Sequence, residues 1–239
     1  LVGSEMCIRD SINTVASDNI VNASEADAGV TVSGSTTAEA GQIVTVTLNS
    51  PTVQTYQATV QADGSWSINI PAADLEALTD GSHTLTATVN DKAGNPASTT
   101  HNLAVDLTVP VLTINTIAGD DIINAAEHGQ ALVISGSSTG GEAGDVVSVT
   151  LNNKTYTTTL DASGNWSVGV PAADVTALGS GPQTVTATVT DAAGNSDSET
   201  HTVTVNLTAP TIGINTIATD DVINALSLIH ISEPTRHSL

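Results

Sequence analysis

The chain spells one long phrase twice. Trp66 recurs as Trp166, Pro71 as Pro171, Asp91 as Asp191, His101 as His201 and Pro110 as Pro210. A repeat of about a hundred residues is too long for a solenoid, whose units run to a few tens of residues, so each copy must close a core of its own. Whatever fold is chosen must also place the two ends of a copy where the next can begin. The joints are written in shared words: Val105-Asp106-Leu107-Thr108-Val109-Pro110 returns as Val205-Asn206-Leu207-Thr208-Ala209-Pro210. The text after each joint is shared as well. Ile12-Asn13-Thr14-Val15, Ile114-Asn115-Thr116-Ile117 and Ile214-Asn215-Thr216-Ile217 open three copies. This divides the chain into repeat 1 over 12–110, repeat 2 over 111–210, and the first strand and loop of a third copy, cut short, over 211–225.

Alternation marks the strands of repeat 2. Val147, Val149 and Leu151 face one way while Ser148 and Thr150 face the other, and Val185, Ala187 and Val189 alternate with threonines. The expected strands are 112–117, 131–137, 145–152, 154–161, 165–170, 182–190 and 198–206. Asn152-Asn153 predicts a tight hairpin, 161–165 a turn, and 171–178 a short helix whose first turn is pre-set by Pro171 and whose Val175 and Leu178 face inward. Seven antiparallel strands in about a hundred residues make an immunoglobulin-like β-sandwich, so the chain is predicted to be all-β, with two sandwiches in tandem.

Composition fits that reading. Aromatic residues are 2% of the chain and Phe is absent, so the core must be Val, Ile, Leu, Ala and threonine methyls, which suit a pleated surface. Four Lys plus Arg stand against 25 Asp plus Glu, a formal charge of -21. That field repels nucleic acid and anionic membranes as partners. No apolar run reaches the roughly 20 residues a spanning helix needs. The single cysteine, Cys7, lies outside the repeats and rules out a disulfide framework.

Residues 1–11 and 226–239 break the pattern. They hold both arginines, the only Met and the only Cys. The DNA ATGTGTATAAGAGACAG encodes Met6-Cys7-Ile8-Arg9-Asp10 and begins Ser11, and its reverse complement encodes Leu226-Ser227-Leu228-Ile229-His230. That DNA resembles the transposon-end adaptor of sequencing-library preparation. Both tails are therefore expected to be non-native and are set aside in reasoning about the fold.

Four phrases carry a further resemblance. They are Ile114 to Glu127 (INTIAGDDIINAAE), Gly164-Asn165-Trp166-Ser167-Val168, Pro171-Ala172-Ala173-Asp174 and Thr190-Asp191-Ala192-Ala193-Gly194-Asn195-Ser196. Together they resemble the bacterial Ig-like repeats of large secreted adhesins and biofilm-associated surface proteins. The resemblance implies an extracellular stalk on the cell surface of a Gram-negative bacterium, exported by a type I system. It also implies Ca²⁺ near the module junctions, neighbouring repeats as partners, and contact with a host or matrix surface through other domains. It covers 12–225. A secretion signal, ligand-binding tip and membrane anchor are not within that stretch.

The residues themselves also suggest calcium. Ca²⁺ takes about 6–8 oxygen ligands in loose geometry, so carboxylates from several loops can share one ion. In a seven-stranded sandwich the loop after the first strand and the end of the last strand share one pole. Asp18 and Glu25 should therefore approach Asp106, and across the joint meet Asp191 and Asn195 of repeat 2, with Asp161 near them. The corresponding set at the far pole of repeat 2 is Asp120, Asp121 and Glu127, with Asn206 in place of Asp106. Asp91 is the counterpart of Asp191 in repeat 1.

Trp66 and Trp166 are expected to be core residues, each replacing the bulk that Phe would supply. His101 and His201 are expected to be satisfied side chains at the start of a strand. Ser, His and Asp occur without a nucleophile elbow, and no glycine-rich phosphate loop is present, so no catalytic site is expected. Two other functions compete with the spacer reading: a carbohydrate-binding module, which needs exposed Trp66, Trp166, Tyr56 or Tyr156, and an accessory domain of a secreted enzyme.

Overall fold

A computed structural model of the chain describes residues 10–49 and 53–215. Both repeats lie in one compact unit that ends at Asn206, and a second unit begins at Leu207. Of the second unit, 207–215 are described. They form no strand or helix, and Ile212 and Ile214 are exposed. The expected strand of a third copy thus has no regular structure over 211–215, and its remainder lies outside the described residues. So do the tails, except Asp10 and Ser11.

Repeat 1 runs through β1 (Ser11–Ile12), β2 (Ile20–Asn22), α1 (Ala23–Ala28), β3 (Val30–Ser35), β4 (Ile43–Asn49), β5 (Gln54–Thr59), β6 (Ser65–Ile70), α2 (Ala72–Leu75), β7 (Gly81–Asn90) and β8 (Pro96–Asp106). Repeat 2 follows with β9 (Val111–Ile114), β10 (Ile122–Asn124), β11 (Leu132–Thr139), β12 (Val146–Leu151), β13 (Lys154–Thr159), β14 (Asn165–Val170), α3 (Ala172–Thr176), β15 (Gly181–Thr190) and β16 (Ser196–Asn206). Each repeat stacks a three-stranded sheet on a five-stranded one. The orders are β1-β3-β6 with β2-β8-β7-β4-β5, and β9-β11-β14 with β10-β16-β15-β12-β13. Val147, Val149, Val185, Ala187 and Val189 are fully buried between the sheets of repeat 2, as the alternation predicts.

One strand departs from the expectation of seven antiparallel strands. The strand expected over 112–117 stops at Ile114, and the chain re-enters the other sheet at Ile122, parallel to β16. The first strand of repeat 1 breaks in the same way, with β2 parallel to β8. To switch sheets the backbone must leave the extended region, and it does so at Ala16, Ser17 and Asn19, and again at Ala118 and Asp121, all at positive φ. The break is pinned from both sides. Val15 and Ile117 plug the core, and Asn19 Oδ1 and Asp121 Oδ1 accept from their backbone N–H groups at 2.9 and 2.8 Å. Alternation cannot register such a switch, because both halves remain extended.

Each tryptophan seals its sandwich. Trp66 and Trp166 are only 3% exposed, and each ring lies on a glycine of the facing strand, Gly34 or Gly136. A Cβ on Gly136 would sit 1.9 Å from the carbonyl oxygen of Thr113 and 2.6 Å from the indole of Trp166. Only glycine admits both neighbours. The expected helix forms as α3, with Val175 and Leu178 buried, and the Asn152-Asn153 hairpin takes positive φ at both residues, as a tight primed turn requires.

Candidate metal centre

The joint between the repeats is built by backbone-directed side chains. In the turn between β15 and β16, Asp191 Oδ1 accepts from the backbone of Ala193 and Asn195, while Oδ2 accepts from Asn195 Nδ2 at 2.9 Å. This fixes Asn195, which is buried and reaches across to repeat 1. Its Oδ1 accepts from Ala23 N at 2.8 Å and its Nδ2 donates to Asp106 O at 3.0 Å. From the other side Asn22 Nδ2 donates to Ala193 O at 3.1 Å. Among the described residues three hydrogen bonds cross the joint, and each involves an asparagine.

Beside this seam lies a cavity of about 290 Å³ lined by Asp80, Asp106, Glu142, Asp145 and Asp191. Five carboxylates face it, two from repeat 1 and three from repeat 2. Asp80 precedes β7, Asp106 ends β8, Glu142 and Asp145 lie between β11 and β12, and Asp191 follows β15. Desolvation first, and then the negative fields of Asp191, Asp80 and Glu142, push the Asp106 carboxyl above its ordinary range, against a hydrogen bond from Thr108 N. Asp80 is held low instead, chiefly by Leu107 N at 2.7 Å and then by the Thr108 hydroxyl. It thereby ties the connecting segment to repeat 1. Among the described residues, no three acidic or histidine side chains converge on one point as they stand. The carboxylates line the cavity rather than meet in it. The donor set still fits a hard cation: it is all oxygen, it repels itself, and Ca²⁺ completes its shell with water. Asp80, Asp106, Glu142, Asp145 and Asp191 are the residues that would hold it.

The structure distributes the sequence-predicted residues unevenly. Asp106, Asp191 and Asn195 come together at the joint. Asp18 and Glu25 do not line the cavity: Asp18 caps its own turn through Ile20 N, and Glu25 closes a capping box with Asn22 at the start of α1. Their counterparts behave alike, Asp120 bonding Ile122 N and Glu127 bonding Asn124 N. Asp121 bonds Ile117 N and His201 Nε2. Asp91 and Asn95 form the same turn as Asp191 and Asn195 at the opposite end of repeat 1. Asp161 closes its own turn onto Ser163 and Asn165. Sequence reasoning missed Asp80, Glu142 and Asp145. The signal was present, since the loops before β7 and between β11 and β12 belong to the two poles that face each other. Comparing the copies hid it, because repeat 1 has Gln42 where repeat 2 has Asp145, and repeat 2 has Ser180 where repeat 1 has Asp80.

The aromatic and histidine candidates are engaged elsewhere. The tryptophans are buried, so neither offers a sugar a stacking face, and the Tyr56 and Tyr156 hydroxyls donate to Asp74 and Asp174 at 2.7 and 2.8 Å. His101 bonds Asn19 as an edge residue would. A crevice beside Trp66 holds only about 10 Å³, room for little more than a water. Among the described residues no helix is long and apolar enough to cross a membrane.

Comparison with known proteins gives the family of the chain. A Ca²⁺-stabilised adhesin that helps an Antarctic bacterium reach out and bind ice is 39% identical, over 91% of this chain and 54% of its own, with a TM-score of 0.48. A 1.5-MDa bacterial ice-binding adhesin, described for its retention at the host cell surface, is 37% identical over 83% of this chain and 64% of its own, with a TM-score of 0.46. A bacterial immunoglobulin-like domain from the M. primoryensis ice-binding adhesin is 41% identical, over 41% of this chain and 99% of its own, with a TM-score of 0.33. The chain thus spans about half the length of the first and less than two thirds of the second. No curated protein matches it. The family model for the bacterial Ig-like domain matches residues 9–107 and 134–208, most of both sandwiches, and by that measure the chain belongs to the bacterial Ig-like domain family.

Proposed function

We propose that the two repeats are spacer modules in the stalk of an extracellular bacterial adhesin, and that Ca²⁺ bound at their joint fixes the angle between them. The stalk carries a binding tip away from the cell in adhesion or biofilm formation, and neighbouring repeats of the same chain are the partners of these two. The observation that carries this reading is the cavity lined by five carboxylates drawn from both repeats. Exposed charges are screened beyond roughly 8 Å at physiological ionic strength, but side chains around one cavity lie inside that range. Unneutralised, they push the repeats apart, against the asparagine seam. A divalent ion reverses the sign of the interaction and ties loops from both repeats to one point. Mg²⁺ suits the site poorly, because it demands octahedral geometry at short distance and dehydrates reluctantly.

Small-angle scattering of the protein in Ca²⁺ and in chelator tests this. A narrower, more extended distance distribution is expected with Ca²⁺. Asp106→Ala combined with Asp191→Ala should erase the difference while near-UV circular dichroism stays unchanged. Identical profiles of the unmutated protein with and without the ion would sink the stiffening role.

A further inference from the structure

The outgoing end of repeat 2 differs chemically from the outgoing end of repeat 1, and the incoming ends differ as well. At the joint, repeat 1 supplies Asp80 and Asp106. The same positions at the outgoing end of repeat 2, just before β15 and at the end of β16, hold Ser180 and Asn206. On the incoming side repeat 2 supplies Glu142, Asp145 and Asp191, with Ala192 beside them. The backbone bonds of the loops fix the correspondence. Val60 N donates to Gln42 O as Leu160 N does to Asp145 O, and Gln42 N donates to Glu39 O as Asp145 N does to Glu142 O. Repeat 1 therefore presents Glu39, Gln42 and Asp91, and Lys92 stands where repeat 2 has Ala192.

The uncharged part of the joint is present at both of these ends. Asn95 is bonded to Asp91 through N and Nδ2 at 2.8 and 2.7 Å, matching Asn195, and Gly94 takes the same positive φ as Gly194, 88°. At the other end Asn124 accepts from Glu127 N and donates its own N–H to Glu127 Oε2, matching Asn22 and Glu25. Each half of an asparagine seam is preformed before a neighbour arrives.

We propose that the outgoing end of repeat 2 docks onto an incoming end of the repeat 1 type, here that of a second copy of this chain, without a metal ion, the ammonium of Lys92 standing where the joint inside the chain takes a cation. Glu39 and Asp91 are the carboxylates that remain from the five, and Lys92 opposes them from the position that Ala192 occupies on the cavity wall. A stalk built from such pairs alternates ion-dependent joints with ion-independent ones. Lowering Ca²⁺ then loosens every second joint and leaves the others fixed. The inference rests on the calcium reading of the internal joint for its contrast, and on the matched asparagine turns for its geometry.

The test joins two copies so that Ile12 of the second follows Gly213 of the first, the register in which Ile214-Asn215-Thr216 repeats Ile12-Asn13-Thr14. Cys7→Ser removes the native thiol, and spin labels go onto the exposed positions Thr100→Cys and Thr200→Cys, one pair at a time. Labels at 100 and 200 of one copy read the internal joint. Labels at 200 of the first copy and 100 of the second read the new one. In chelator the internal joint should give a broad distance distribution while the new joint stays as narrow as in Ca²⁺. Lys92→Glu in the second copy should make the new joint broaden in chelator, with unchanged near-UV circular dichroism showing that the sandwich is intact. A new joint that broadens in chelator without that substitution overturns the proposal. An internal joint that ignores the chelator beside a narrow new one overturns the calcium reading instead.

Discussion

Inside a repeat and between the repeats, the chain solves the same problem with opposite materials. The interior closes by laying Trp66 or Trp166 on a glycine and surrounding it with buried Val, Leu and Ile. The joint closes with Asn22, Asn195 and a ring of carboxylates around a cavity. Burial of apolar surface is indifferent to ions and only weakly responsive to pH, whereas hydrogen bonds and like charges around a cavity respond to both. On the proposed reading, the difference locates where the molecule can be adjusted: at the angle between the modules rather than inside them.

The strongest way to separate the two regions is to break the interior. Trp166→Ala should destabilise repeat 2 by about 3–5 kcal/mol, the usual cost of truncating a buried aromatic. Gly136→Ala should fail by the converse route, since its Cβ would overlap the Thr113 carbonyl and the indole. In urea melts followed separately through each repeat, repeat 2 should unfold early, and Ca²⁺ should not restore it. A Trp166→Ala protein with unchanged melting would mean that the ring is not part of the core.

The next test acts at the joint. An ion that binds only the folded state contributes RT ln(1 + [L]/Kd), about 2.7 kcal/mol at a hundredfold excess over Kd. Millimolar Ca²⁺ should raise the melting temperature and Mg²⁺ should do little. A melting curve that Ca²⁺ leaves in place would show that the carboxylates are only solvated turns.

Asn195→Ala is expected to have a smaller effect. It removes the bonds to Ala23 N and the Asp106 carbonyl and leaves buried groups short of partners, at roughly 1–3 kcal/mol. The loss should appear as uncoupled melting of the two repeats. Asn95→Ala, which removes only the side-chain bond to Asp91 within its own turn, should leave the coupling intact. Equal effects of the two substitutions would show that Asn195 merely supports its own loop.

The same contrast explains how much the sequence disclosed. The interior was legible because burial imprints a period: Val147, Val149 and Leu151 repeat every second residue whatever surrounds them, and Trp166 stands out where Phe is absent. The split first strand left no such imprint, since Ile114 and Ile122 are both extended and what separates them is the positive φ at Ala118, Gly119 and Asp121. At the joint, Asp106, Asp191 and Asn195 could be placed by pole, because the turns and the ends of strands fix their positions. Asp18 and Glu25 were drawn to the cavity by the same rule. Their carboxylates bond Ile20 N and Asn22 N instead, and neither residue lines the cavity. Asp80 and Asp145 could not be seen by matching copies, since Ser180 and Gln42 stand at the corresponding positions, whereas Glu142 does have a counterpart in Glu39.

The smallest expected effect lies at the strand break, where the two repeats share a geometry but not a charge. Asn19 Oδ1 accepts from Val15 N and faces His101 Nε2 at 2.7 Å, and Asp121 Oδ1 accepts from Ile117 N and faces His201 Nε2 at the same distance. Only repeat 2 carries a carboxylate there. The Asp121 carboxyl lies below its ordinary value of 3.8, first because of the Ile117 N–H and then because of His201. A depressed carboxyl contributes stability that is present above its unfolded value and is lost as pH falls through its folded value. Acidification below about 3.9 should therefore weaken the break in repeat 2 and leave its counterpart in repeat 1 untouched. The contribution is modest: about a third of the Asp121 side chain is exposed, and surface ion pairs are worth only about 0–1 kcal/mol. Asp121→Asn should flatten the acid limb of repeat 2's stability curve, and Asn19→Asp should steepen that of repeat 1. Measured as the pH dependence of each repeat's urea midpoint, the pair of substitutions should exchange the acid response of the two modules. If both limbs stay unchanged, the break is held by the backbone hydrogen bond alone, and the charge at 121 does nothing that the amide at 19 does not.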